Sequence, residues 1–269
     1  MKDRRKFLTG LIVICLLCIG GGKLEKYVTA QQDKFENINL QIQSLTNEIE
    51  NLKSRLESTE IVSWEESEYN YLAIGNSITI HDIDSYWWDE RGMASSCAEK
   101  DYVHRVKSYL EYNYNEKVNM YAMNFATWET LWTDRAETLA LLDSYLDPNI
   151  DLVTVQLGEN TQNLETFESD YEELLSYIRQ KAPNAEIIVV GDFWAYENRD
   201  ELKKQAATEC GIKYVSLDGI KNNSIYYAGI GTEVEDSEGN KHSIEHSGVA
   251  NHPGDLGMEE IAKRIIKAI

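Results

Sequence analysis

Cysteine is scarce in this 269-residue chain: there are four, and Cys15 and Cys18 lie inside an apolar run, which leaves Cys97 and Cys210 for the remainder. Two isolated cysteines without a local partner exclude a disulfide framework and a zinc knuckle, and each reads as a small buried hydrophobe. Basic residues are also in short supply, 26 against 46 acidic ones, for a formal net charge of −20. That balance repels phosphate backbones and anionic lipid surfaces, so nucleic acid is excluded as an expected partner. Long apolar runs are lacking too. The stretch from Phe7 to Ile19 is short for a membrane-crossing helix, which needs about 20 residues. No internal repeat is visible.

What is present begins with a basic flank, Lys2, Arg4, Arg5 and Lys6, ahead of that apolar stretch. Lys23, Glu25 and Lys26 crowd the small-residue site Val28-Thr29-Ala30, and Leu17 stands where a lipobox ending at Cys18 would have a small residue. The pattern therefore predicts an uncleaved anchor over residues 1–30, with a cytoplasmic N-terminus and the rest of the chain outside a cell membrane crossed once; a cleaved signal peptide is the alternative, and either way the body is exported. Residues 31–60 follow as a stalk. Phe35, Ile38, Ile42, Leu45, Ile49, Leu52 and Leu56 alternate steps of three and four. This is a coiled-coil seam whose β-branched a positions and leucine d positions favour a parallel homodimer. A single helix packed on the globular domain is the plainer alternative.

Residues 61–269 have a different pattern. Short apolar runs at Tyr69 to Ile74, Val118 to Met123, Leu152 to Leu157, Glu186 to Val190 and Lys213 to Leu217 read as strands. Between them Tyr102 to Tyr112, Leu131 to Tyr145, Phe167 to Lys181 and Arg199 to Cys210 have helical spacing, and a last amphipathic helix carries Ile261, Ile265 and Ile266. Alternation of this kind predicts an α/β domain with a parallel sheet and helices on both faces. A ligand site is expected at the carboxyl ends of the strands.

Three short motifs fall at such positions. Gly75-Asn76-Ser77 ends the first strand, Gly158-Glu159-Asn160 follows the third, and Asn251-His252-Pro253-Gly254 precedes the last helix. A serine at a strand end can present its hydroxyl to a cleft and its own N–H to a developing oxyanion, which an asparagine amide can also serve. A loop histidine has a pKa suited to a general base. Each motif alone is an ordinary cap or turn.

Taken together and in this order, the motifs resemble those of the SGNH/GDSL hydrolases. The resemblance implies a three-layer α/β/α flavodoxin-like fold with a five-stranded parallel sheet and a serine esterase that needs no cofactor or metal. It implies Ser77 as nucleophile, His252 as base, and an oxyanion hole from Ser77, Asn160 and Ala126 (or Thr127). The substrate expected is an O-acyl, chiefly O-acetyl, ester on carbohydrate. Trp128, Glu129 and Trp194, together with Trp87, Trp88 and Trp132, fall near strand ends where they can meet a sugar. The chain departs from the family in three places: Asn76 replaces an aspartate, the second-block glycine has no counterpart in Asn124-Phe125-Ala126-Thr127-Trp128-Glu129, and Val249 stands where an acid usually precedes the histidine by three. Either a Ser-His dyad with a carbonyl holding the ring, or a carboxylate such as Glu245 or Asp255, or an inactive site would follow.

Other readings compete. His242-Ser243-Ile244-Glu245-His246 matches an inverted zinc-peptidase motif, which works only on a helix, and the flanking Gly239-Asn240 and Ser247-Gly248 argue against one. Acyl transfer to a sugar hydroxyl is chemically adjacent to hydrolysis. A coiled-coil scaffold whose head binds glycan without cleaving it is the non-enzymatic alternative.

Overall fold

The computed structural model describes residues 62–269. The anchor expected over residues 1–30 and the coiled coil expected over residues 31–60 lie outside the described residues. Among the described residues no helix is long and apolar enough to cross a membrane.

Five parallel strands make the central sheet: β1 (Tyr69–Gly75), β2 (Val118–Asn124), β3 (Leu152–Gln156), β4 (Glu186–Val190) and β5 (Lys213–Val215), in the order β2-β1-β3-β4-β5. Side chains alternate along each strand, so β1 serves two cores. Leu72 and Ile74 join Val153, Val155 and Val189 on one face, where α4 (Phe167–Lys181) and α5 (Arg199–Glu209) pack through Phe167, Tyr171, Leu174 and Ala206. Tyr71 and Ala73 join Leu152, Ile188 and Val190 on the other, under α1 (Tyr102–Tyr114) and α7 (Asp255–Ala268) with Val103, Val106, Ile261 and Ile265. Burial on both faces explains why β3 and β4 read as nearly unbroken apolar runs.

The order reverses at β1. The chain leaves β1 for β2 on one side and returns for β3 on the other, which opens a crevice at the carboxyl ends of β1 and β3. Both the Gly75-Asn76-Ser77 and the Gly158-Glu159-Asn160 segments emerge there.

The helix expected over Leu131 to Tyr145 is broken. A short helix α2 (Ala126–Thr130) ends just before it, and its place is taken by α3 (Arg135–Thr138) and a 3-10 turn over Leu139–Ser144. Hydroxyl and carboxylate side chains compete with helical hydrogen bonding here: Thr130 donates back to the Ala126 carbonyl at 3.2 Å, and Thr133 donates to Asp134 at 2.7 Å. A hairpin, β6 (Glu233–Glu235) with β7 (Lys241–Ser243), and a short helix α6 (Ser247–Ala250) complete the domain. They cover a small apolar cluster of Trp87, Met93, Val234, Ile244 and Val249.

Candidate active site

The turn that carries Ser77 is set by close packing at the end of β1. A Cβ at Gly75 would lie 1.8 Å from Thr79 Oγ1 and 2.8 Å from the Gln156 carbonyl, so only glycine lets β1 and β3 close there. Asn76 then folds the chain over: its carbonyl accepts from Thr79 N–H at 2.9 Å and Ile80 N–H at 3.0 Å, and its Oδ1 accepts from Ile78 N–H at 3.0 Å. Ser77 rides on the apex, tied by Met93 N–H to the Ser77 carbonyl at 2.8 Å. Among the described residues no acceptor engages the Ser77 N–H.

His252 faces it across 175 residues of sequence, with Nε2 2.8 Å from Ser77 Oγ. Its loop is pinned by Ala228 N–H to the His252 carbonyl at 3.0 Å and by Gly254 N–H to the Tyr226 carbonyl at 2.9 Å. The carbonyls at the end of a short helix keep a lone pair for a second donor. That of Gly248 in α6 accepts from the Asn251 N–H at 3.3 Å and also lies 2.8 Å from His252 Nδ1. A carbonyl can only accept, so Nδ1 carries the proton and Nε2 is left to accept from the serine hydroxyl. Neither carboxylate considered above reaches the ring: Asp255 accepts from Ser96 N–H at 2.8 Å and Ser96 Oγ at 2.7 Å, and Glu245 is exposed. Burial pushes the His252 imidazole down, to about 4, and His81 and His246 push the same way against the Gly248 carbonyl. Trp194 closes the outer side, edge-on to the imidazole at 4.9 Å, while its Nε1 donates to the Asn251 carbonyl at 3.0 Å.

Behind the serine sits an acidic cluster. Glu129, 1% exposed, accepts from Asn76 Nδ2 at 3.1 Å, Gly158 N–H at 2.5 Å and Asn160 Nδ2 at 2.5 Å. Glu159 accepts from the same Asn76 Nδ2 at 2.9 Å, from Gln156 Nε2 at 2.5 Å and from Phe193 N–H at 3.0 Å. Burial and the charge of Asp192 push Glu159 up to about 7, with Lys203 pulling back. Burial also raises Glu129, against its three donors. Beneath them Asp192 is paired with Arg199 and, at 2.7 Å, with Lys203, all buried. Gly158, at φ +138°, takes a backbone conformation suited to glycine just above this layer.

The structure thus brings Ser77, His252, Asn160 and Trp194 to one end of the crevice, and it corrects three expectations. Trp128 is fully buried against Phe167 and Tyr171, at centroid distances of 6.0 and 5.4 Å, so it is a core ring and cannot meet a substrate. Ala126 N–H donates to Asn124 Oδ1 at 3.1 Å and is not presented to an oxyanion. Glu129 is a buried acceptor of protein amides where a ligand contact was expected. Of the other tryptophans, Trp87 is buried and Trp88 stacks on His242 at 4.5 Å, whereas Trp132 is 47% exposed. A groove of about 660 Å³ beside Asn160 is lined by Trp132, Gln162, Asn163 and Leu164 together with Glu129. In the zinc-like motif His242 lies on β7, bonded to Asp236 at 2.8 Å, and His246 stacks on Tyr86. Among the described residues no group of three or more His, Cys, Asp or Glu is placed to hold a metal.

Sequence reasoning missed the Glu129 and Glu159 hub, and it offered a carbonyl as the partner of His252 without assigning it to Gly248. The first could have been found from two acids placed after β2 and β3, the strands that flank β1. The second is backbone and leaves no signal in residue types.

No family model and no curated protein matches the chain. Solved structures do resemble it. A two-domain esterase active on acetylated mannans, co-crystallised with mannopentaose, is 16% identical with a TM-score of 0.49, over 82% of this chain and 53% of that one. An active-site mutant of a family two carbohydrate esterase from Clostridium thermocellum is 14% identical with a TM-score of 0.45, over 77% and 65%. An extracellular lipase from Streptomyces rimosus is 15% identical with a TM-score of 0.44, over 75% and 100%. The chain spans about half the length of the mannan esterase.

Proposed function

We propose that this protein is a serine esterase that removes O-acyl groups, chiefly O-acetyl, from carbohydrate through a Ser77-His252 dyad. The observation that carries the reading is the relay from Ser77 Oγ to His252 Nε2 and from His252 Nδ1 to the Gly248 carbonyl, both legs 2.8 Å. In the first half-reaction His252 takes the hydroxyl proton as Oγ attacks the ester carbonyl. Negative charge develops on the carbonyl oxygen, where the Ser77 N–H and the second Asn160 Nδ2 proton can stabilise it. His252 then protonates the departing sugar oxygen, leaving an acyl group on Ser77. Water, deprotonated by the same imidazole, releases the acid and restores the serine.

Carbohydrate is favoured as the alcohol because the groove beside Asn160 combines an exposed indole, Trp132, with the amides of Gln162 and Asn163. Aromatic faces and side-chain amides suit the apolar faces and hydroxyls of a sugar ring. The volume is within the usual range for a small-molecule site, about 300 to 1,000 Å³. Export behind an N-terminal anchor belongs to the same proposal and is supported by the basic flank and apolar run of residues 1–30.

Acetate release from a panel of acetylated oligosaccharides, wild type beside Ser77→Ala, tests this. Release from at least one glycan by wild type and none by Ser77→Ala is expected. Equal release by both would remove Ser77 from the mechanism.

A further inference from the structure

We propose that Glu129 is a positioning residue, which clamps Asn160 and the nucleophile turn into one hydrogen-bonded unit. The proposal rests on the esterase reading above and goes beyond it by assigning a task to a carboxylate that the Ser-His chemistry does not use.

Asn160 itself is exposed. A free amide at that position would turn either its oxygen or its nitrogen toward the cleft. A carboxylate is acceptor-only, so Glu129 Oε2, 2.5 Å from Asn160 Nδ2, fixes which end of the amide faces inward. One N–H is then held and the other remains to meet the oxyanion. Glu129 Oε1 does the same for the two segments that frame this donor. It accepts from Gly158 N–H at 2.5 Å, after β3, and from Asn76 Nδ2 at 3.1 Å, next to the nucleophile. Three pieces of the site taken from two different strand ends therefore converge on one buried carboxylate. In a low-dielectric setting such charge-assisted bonds are shorter and stronger than neutral ones.

The identity of residue 76 follows from the same geometry. Both protons on Asn76 Nδ2 are used, one on Glu129 Oε1 and one on Glu159 Oε2 at 2.9 Å, and its Oδ1 accepts from Ile78 N–H at 3.0 Å. An aspartate there would turn a third carboxylate toward the other two with no proton to offer. Asn76 and Glu129 are thus a matched pair, and a glutamate in α2 accounts for an asparagine in the nucleophile turn. A bare carboxylate so close to a developing oxyanion would oppose it. Here the three donors on Glu129 counter that charge.

The test is a double-mutant cycle read as kcat and KM on p-nitrophenyl acetate, with melting temperature as the control for folding. Glu129→Gln places a second N–H against Asn160 and turns its amide. It should lower kcat by about 100-fold, the scale of losing one oxyanion donor, with KM within about threefold. In an Asn160→Ala background the same change should cost less than about threefold, because the glutamine oxygen still accepts from Gly158 and Asn76 and the one contact it disturbs is already gone. An unchanged or raised kcat in Glu129→Gln, or an equal loss in both backgrounds, would overturn the proposal. Should Glu129→Gln fail to fold, the wild-type protein decides. With asparagine labelled by ¹⁵N and the signal assigned through Asn160→Ala, one Asn160 Hδ2 proton should exchange slowly with water, and two protons exchanging at the free-amide rate overturn the clamp. Ser77→Ala in the same assay separates the two claims. Turnover independent of Ser77 brings down the esterase reading, whereas Ser77-dependent turnover left intact by Glu129→Gln brings down only the clamp.

Discussion

His252 is held by a carbonyl where a carboxylate would hold it more tightly, and this has measurable consequences for single residues. Because Nδ1 donates to Gly248, which is backbone, no side chain can be removed to free the ring. Glu245→Gln and Asp255→Asn should each lower kcat/KM by less than about tenfold, whereas loss of a carboxylate that orients a catalytic histidine costs on the order of 10⁴-fold. A loss near the larger figure in either variant would mean that carboxylate turns toward the ring in solution. The same burial sets the pH dependence. A base whose pKa is pushed down to about 4 stays neutral and competent until the medium is well below the ordinary histidine range. The acid limb of kcat/KM should therefore fall between the depressed value and the usual one near 6.5, and a limb centred above 7 would contradict the environment described. A neutral partner also gives the imidazolium less support than an acid would, so turnover is expected to lean more heavily on the oxyanion donors.

At the scale of elements, the short helix α6 does two things at once. Its Gly248 carbonyl meets the imidazole, and its Val249 side chain, 1% exposed, is packed with Trp87, Met93, Val234 and Ile244. The missing acid thus corresponds to a side chain that points into an apolar cluster. Val249→Asp should not improve the base. It should destabilise the domain by about 3–5 kcal/mol, the cost of an uncompensated buried charge, seen as a lower melting temperature. A stable and faster variant would show that this turn can rotate to present its side chain to His252. Strands β1 to β5 and helices α1, α4, α5 and α7 were legible because each buries a regular apolar face, and the spacing of those faces survives in the residue order. The stretch between Leu131 and Tyr145 was misread because its apolar residues have helical spacing while Thr133 and Asp134 bond locally ahead of α3. The hairpin of β6 and β7 was missed because three-residue strands carry too little pattern. At the site, Ser77, Asn160 and His252 stood out by residue type, whereas Trp128 sits at a strand end by sequence and in the core by burial.

At the scale of the whole molecule the expected assembly rests on residues 31–60, where seven apolar residues keep a heptad seam. A soluble chain beginning at Gln31 should be a parallel dimer by light scattering, and one beginning at Ile61 a monomer. The shorter chain retains Val62, whose N–H donates to the Ser144 carbonyl at 3.1 Å, and Trp64, whose Nε1 donates to the Tyr145 carbonyl at 2.7 Å, so its domain keeps these edge contacts. Two monomers would remove the coiled coil from the account. The domain's central claim is narrower and can be tested without knowing the glycan: Ser77 is a nucleophile activated by His252. A fluorophosphonate reacts with an activated serine to leave a stable tetrahedral adduct and release fluoride, so intact-protein mass after treatment reports the nucleophile directly. One adduct per chain, mapped to Ser77, absent in Ser77→Ala and formed far more slowly in His252→Ala, is the predicted result. An unlabelled Ser77 in protein that still hydrolyses esters would contradict it.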